Sequence, residues 1–162
     1  MPIRTHTLSI PGATTMDGLW LYVLRVESPE GELIYVGMTG SNNGTIAKSP
    51  FRRFWIHIDR IPKNSTTYSV FKQSPCFADI DPWQCGEIRM VAVGPIFPAT
   101  TDKHEFDEQK RKILAMEREL INDLSTTGYQ VINEISKRRV PDPELWQRVR
   151  AEFAVHFPKL NA

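Results

Sequence analysis

Two apolar runs lying close together near the start of the chain constrain its fold more than any other feature. Leu19–Val26 (LWLYVLRV) is rich in β-branched and aromatic residues and reads as a well-buried strand. Ser28-Pro29-Glu30-Gly31 is a turn signal, and Glu32–Gly37 (ELIYVG) reads as a second strand. So short a link predicts an antiparallel hairpin, and a small sheet as the centre of the fold.

The rest of the chain predicts helices around that sheet. A loop from Met38 to Pro50, rich in Gly, Ser, Asn and Thr, leads to a helix opened by Ser49 or Pro50. This helix runs to about Ile61 and is stopped by Pro62. Phe51, Phe54, Trp55, Ile58 and Ile61 share one stripe of it, with Arg53, His57 and Arg60 on roughly the opposite side. Residues 66–80 carry a short helix and then a loop, and Glu87–Ile96 reads as a third strand. Asp102–Ser125 is the longest helical pattern, capped by Thr100, Thr101 or Asp102 and ended by Gly128. Pro141-Asp142-Pro143-Glu144 opens a last amphipathic helix that runs to about Phe157.

The element order is β-β-α-α-β-α with an extra C-terminal helix. That is an α+β fold: a three-stranded mixed or antiparallel sheet flanked by helices. Residues 1–16 read as an N-terminal arm and 17–135 as the main domain. Residues 136–162 read as a basic stretch followed by the last helix, packed on the domain through Leu145, Trp146, Val149, Phe153 and Phe157. A dimer contact is the other use of that face.

With 162 residues, 41% of them apolar, the chain can bury a core without disulfides or structural metal. With a formal net charge of only +1, bulk electrostatics alone do not announce a nucleic-acid binder. The charge is uneven, however. Lys and Arg outnumber Asp and Glu seven to five in residues 1–65 and six to three from 135 onward, whereas 66–134 carries seven against eleven. Two basic ends and an acidic middle suit a phosphate-contacting surface around a carboxylate, as well as an ordinary solvated exterior. The opening MPIRTHTLSIPG lacks the apolar core of a signal peptide, and no apolar run approaches membrane-spanning length. Cys76 and Cys85, with eight residues between them, match no metal-binding spacing. The expectation is a cytoplasmic protein with reduced thiols and no membrane association.

Glu117 is the most informative single residue. Phe106, Ile113, Leu114, Leu120, Ile121 and Leu124 form the apolar stripe of the long helix, and Glu117 falls near its centre. A carboxylate there costs several kcal/mol (order of magnitude) unless it is paired, protonated or bound to a cation. A metal or catalytic role explains the choice; so does a structural ion pair. Arg53 and His57, four apart on one helix face, combine a phosphate-gripping fork with a proton-transferring ring. Tyr22 and Tyr35 stand on the two hairpin strands at comparable distances from the turn, where packing tyrosines are common.

Taken jointly, these residues carry a resemblance. Trp20-Leu21-Tyr22, a turn, and then Tyr35-Val36-Gly37 resemble the paired motifs of the GIY-YIG endonuclease family. The run from Phe51 through Arg53 to His57 is similar to that family's Arg-containing helix, where a His often follows the Arg by four. Glu117, with Ile121 and Leu124, resembles its Glu segment, and Gly128-Tyr129 with Asn133 its closing features. The likeness covers roughly residues 18–135. Trp20 stands where the family usually has Gly, the loop from Gly37 to Arg53 is longer than is typical, and Asn133 lies three residues beyond Gln130.

The resemblance implies hydrolysis of a DNA phosphodiester with one divalent cation, Mg²⁺ with Mn²⁺ as a substitute. Glu117 would be the protein's metal ligand, since Mg²⁺ takes few protein ligands and keeps several waters. Arg53 would clamp the phosphate, His57 would relay a proton or hold phosphate, and a tyrosine, Tyr22 ahead of Tyr35, would position or deprotonate the attacking water. Lys48, Arg52, Arg60, Asn133, Lys137, Arg138 and Arg139 are the expected DNA contacts. A homodimer is one arrangement for cutting both strands. The alternatives are a GIY-YIG-like domain that has lost catalysis and binds nucleic acid or protein, and a small interaction module in which Glu117 forms a structural ion pair.

Overall fold

The computed structural model describes residues 3–40, 47–59, 68–133 and 139–161. β1 (Gly18–Ser28) and β2 (Gly31–Met38) form the expected hairpin, with Ser28 paired to Gly31 across the two-residue turn Pro29-Glu30. Gly31 has φ +127°, a left-handed conformation that suits glycine at so tight a reversal. β3 (Ile88–Pro98) pairs antiparallel with the other edge of β1, giving the strand order β2-β1-β3. The molecule is thus a small α+β fold whose three-stranded antiparallel sheet is flanked by helices.

Alternation along β1 divides the interior in two. Leu19, Leu21 and Val23 pack with Ile113, Met116, Leu120 and Leu124 of α3 (Lys103–Thr126) and with Val149 and Phe153 of α4 (Pro143–His156). On the other face Leu24 and Val26 pack with Leu33, Phe77, Phe54 and Ile58 of α1 (Pro50–Ile58), and Val70 and Phe71 of α2 (Val70–Gln73). A central strand covered on both faces is apolar at successive positions, which is why LWLYVLRV lacks a polar side. Burying each Leu or Val of it contributes about 1.5–3 kcal/mol.

Local chemistry sets the helix starts. Asp102 accepts the Glu105 backbone N–H at 2.9 Å, and Asp142 accepts that of Leu145 at 2.8 Å ahead of Pro143. Arg150 of α4 reaches Asp123 of α3 at 2.7 Å and the Leu160 carbonyl at 2.7 Å, so the last helix is tied to α3 and buries Trp146 and Phe157 in the same core. The free edge of β2 is closed as well. Ile34 exchanges backbone hydrogen bonds with Gln130 and Ile132 at 2.9 and 2.8 Å, a short parallel bridge that hides an otherwise open edge. Among the described residues no helix is long and apolar enough to cross a membrane. Cys76 and Cys85 are free thiols.

Two features depart from the sequence reading. On α1 only part of the apolar stripe faces inward: Phe54 and Ile58 pack on the core beside a fully buried His57 and a half-buried Arg53, whereas Phe51 and Trp55 are 37% and 55% exposed. The helix is rolled so that its Arg53–His57 side meets Tyr22 of β1. A buried imidazole with both nitrogens bonded makes that orientation tolerable, and periodicity alone cannot register such a bond. The second is Trp20. Its indole is buried, donates to the Met16 carbonyl at 3.2 Å, and lies against Gly94, where an added Cβ would come within 2.8 Å of the ring. The space for a bulky residue at position 20 comes from a glycine on the neighbouring strand, beside the break in β1–β3 register at Leu19/Leu21.

Candidate functional site

Tyr22 sits on the central strand and faces α1. Its cross-strand partner is Gly37, and a Cβ there would lie 2.5 Å from the Tyr22 Cζ and closer still to Oη. The phenol therefore lies across β2 through a space that only a glycine leaves open. Around the hydroxyl two α1 side chains converge. His57 Nε2 is 2.9 Å from Tyr22 Oη, and Arg53 Nε donates to the same oxygen at 3.4 Å. His57 is held in turn by the chain that begins α2: the Val70 backbone N–H donates to Nδ1 at 3.3 Å, and the Ser69 hydroxyl donates to the His57 carbonyl at 2.9 Å.

Tyr35, on β2, meets the His57 ring edge-on at 5.1 Å and stacks with Tyr68 at 5.7 Å and 21°. Tyr22 has no solvent exposure, Tyr35 is half-buried, and Tyr68 is 39% exposed. Glu117 of α3 is half-buried, and its charge bears on Tyr22, Tyr35 and Arg53. Glu117, 95 positions after Tyr22 in the chain, thus lies within electrostatic reach of the group.

Burial dominates the electrostatics here. It pushes the Tyr22 phenol up to about 12, although the nearby Arg53 charge pulls the other way. Tyr35 is raised as well, first by burial and then by Tyr22. Burial, helped by Arg53, pushes His57 down to about 3, so the imidazole is neutral near pH 7. The Glu117 carboxyl is raised by burial to about 7, with Arg118 and Arg53 opposing. For Arg53, burial works against the charge, but Tyr22, Tyr35 and Glu117 outweigh it and keep the guanidinium charged.

Among the described residues no three His, Cys, Asp or Glu side chains come together as a metal cluster. Of Tyr22, Tyr35, Arg53, His57 and Glu117, Glu117 carries the one carboxylate that could serve as a cation ligand. A preformed multi-carboxylate cage is not what this cluster offers.

The expected DNA contacts fall in different places. Arg52 and Arg139 are exposed and Lys48 is half-buried. Arg60, Lys137 and Arg138 lie outside the described residues. Asn133 holds the β2 backbone: Oδ1 accepts the Val36 N–H at 2.7 Å and Nδ2 donates to the Val36 carbonyl at 2.8 Å. With the Ile34 pairings, this clamps β2 on both sides of Tyr35. Asn133→Ala is expected to destabilise the fold by about 1–3 kcal/mol through two unpaired backbone groups, read as a lower midpoint in urea.

Tyr68, Gly37, Ser69 and the Val70 amide are participants that sequence reasoning missed. Gly37 had a signal, a glycine inside a strand pattern two residues after a tyrosine. The others had none, since contacts made by a loop or by backbone leave no periodicity. A cavity of about 560 Å³ between the arm (Thr7 to Pro11), Phe51, Phe54 and Ile88 to Met90 is lined by none of Tyr22, Tyr35, Arg53, His57 or Glu117. Comparison of the chain with protein-family models, with curated proteins and with solved structures gives no match.

Proposed function

We propose that this protein is a metal-dependent endonuclease of the GIY-YIG type that hydrolyses DNA phosphodiester bonds. The observation that carries the reading is the convergence of Tyr22, Tyr35, Arg53 and His57 into one cluster, with the Glu117 carboxyl of α3 within electrostatic reach of Arg53. Glu117 would hold the divalent cation, Mg²⁺ or Mn²⁺. When bound, that ion supplies positive charge against the scissile phosphate and the leaving oxygen. Arg53 stays charged in its half-buried position and holds a phosphate oxygen, offsetting charge that builds in the transition state. Of the two tyrosines, Tyr35 keeps contact with solvent while Tyr22 has none. That favours Tyr35 for positioning the attacking water, the reverse of the order expected from sequence. Arg52, Arg139 and Lys48 are the described residues suited to flanking phosphates.

A second reading, a domain that binds nucleic acid or a partner protein without cutting, is favoured by the complete burial of Tyr22 and His57. Cleavage of supercoiled plasmid with Mg²⁺ and with EDTA separates the two. The endonuclease reading expects metal-dependent nicking or linearisation by wild type, absent in Glu117→Ala. In Arg53→Lys it should fall by about 100-fold or more as the planar fork is lost. DNA binding without cleavage of plasmid, branched or single-stranded DNA would establish the second.

A further inference from the structure

We infer that His57 is the hydrogen-bond donor to Tyr22, locked in that role by the backbone N–H of Val70, and is a positioning residue that passes no proton. A neutral imidazole carries one N–H and one bare nitrogen, and the bond made at one nitrogen decides the state of the other. At 3.3 Å from Nδ1 stands the Val70 amide, which can only donate, so Nδ1 is the bare nitrogen. The proton is on Nε2, 2.9 Å from the Tyr22 oxygen, and that oxygen accepts. A doubly protonated ring is opposed by the complete burial of His57 and by the Arg53 charge beside it. The Ser69 hydroxyl on the His57 carbonyl, 2.9 Å away, ties the two chain segments together and keeps the Val70 amide in register.

The consequence falls on Tyr22. Its oxygen has two lone pairs, and His57 Nε2–H and Arg53 Nε–H occupy both. The neutral phenol then has only its own O–H to offer and no free lone pair with which to take the proton of an attacking water. In the proposed hydrolysis, on whose reading this consequence rests, Tyr22, which has no solvent exposure, moves no proton; its oxygen holds the Arg53 Nε–H and so sets where the guanidinium stands.

The tautomer is read directly by NMR of the full chain with ¹⁵N-labelled histidine, which needs neither a variant nor activity. The expected spectrum shows His57 with a protonated Nε2 and a bare Nδ1; an Nδ1–H ring or an imidazolium near pH 7 overturns the inference. The second arm uses plasmid cleavage by His57→Gln, whose amide N–H₂ falls near the Nε2 position, and by His57→Asn, which is too short to reach Tyr22. A donor role predicts that Gln stays within about tenfold of wild type while Asn loses far more. If both fall by the 100- to 10,000-fold typical of a lost general base, the donor role is wrong. Wild type without cleavage would remove the hydrolysis reading, while the NMR spectrum would still decide the His57 assignment.

Discussion

Glu117→Gln is expected to remove metal-dependent cleavage and, at the same time, to stabilise the fold at pH 8 but not at pH 4. The Glu117 carboxyl is raised by burial to about 7 in the folded chain, above its ordinary value of 4.5. Below pH 4.5 both states carry it protonated and the folded state has no penalty. Between 4.5 and 7 the unfolded chain ionises first, so stability falls with rising pH, and above about 7 the loss is complete. Glutamine does not titrate and escapes this loss. Each tenfold change in a protonation equilibrium is worth about 1.4 kcal/mol, and the carboxyl keeps some contact with water, so the gain is on the order of 2 kcal/mol. For a chain of this size that is about 4–8 °C in Tm. Added Mg²⁺ should raise the Tm of wild type at pH 8 and leave the variant unmoved, because only a ligand that binds the folded state stabilises it. Thermal melts at pH 4 and pH 8, with and without Mg²⁺, check every part. If Glu117 is instead a structural ion-pair partner, the variant melts lower at pH 8, and the metal-ligand reading goes with it.

Gly37→Ala is the second large effect, and it acts through Tyr22. The added methyl would sit 2.5 Å from Cζ, and Tyr22 is enclosed on its other side by His57. The ring cannot stay. Its displacement breaks the bonds to His57 and Arg53 and costs about 1–3 kcal/mol in overpacking. Cleavage should fall by about 100-fold or more, since Arg53 loses its hold on Tyr22 and misplacing the phosphate clamp by about 1 Å has that effect. Tyr22→Phe on its own keeps the packing and removes only the hydroxyl. Comparing the two by urea unfolding and by plasmid cleavage separates the oxygen's role from the ring's. An alanine variant with wild-type stability and activity would show that β2 yields there and that the close approach is incidental.

Much of the scaffold was legible from the residues in order. The hairpin, the third strand and the two long helices follow from period, turn chemistry and caps, and the observed spans differ mainly at their ends. β1 runs to Ser28 rather than Val26 because its pairing with β2 continues to Gly31, and β3 to Pro98 rather than Ile96 because Phe97 and Pro98 pair with Leu19 and Gly18. The conspicuous carboxylate of α3 was legible too, because Glu117 interrupts an otherwise apolar stripe.

The roll of α1 was not. Its apolar residues make a regular stripe, and the rule that such a stripe faces inward holds for Phe54 and Ile58 but puts Trp55 inside and His57 out, the reverse of what is found. What overrides it is a set of hydrogen bonds from Tyr22, Val70 and Ser69, none of them local to the helix. The role of Asn133 was hidden for the same reason, since its partner Val36 is 97 residues away.

Local propensity and periodicity, which act over a few residues, were enough for the sequence by itself to determine the strands, the helices, their order and the residue types available for chemistry. The rotation of α1, the closing of β2 by Asn133, and the meeting of His57, Arg53 and Gly37 around the Tyr22 hydroxyl were decided by the tertiary structure alone. Those depend on groups distant in the chain, and burial alters their hydrogen bonding and ionisation only once they are packed together.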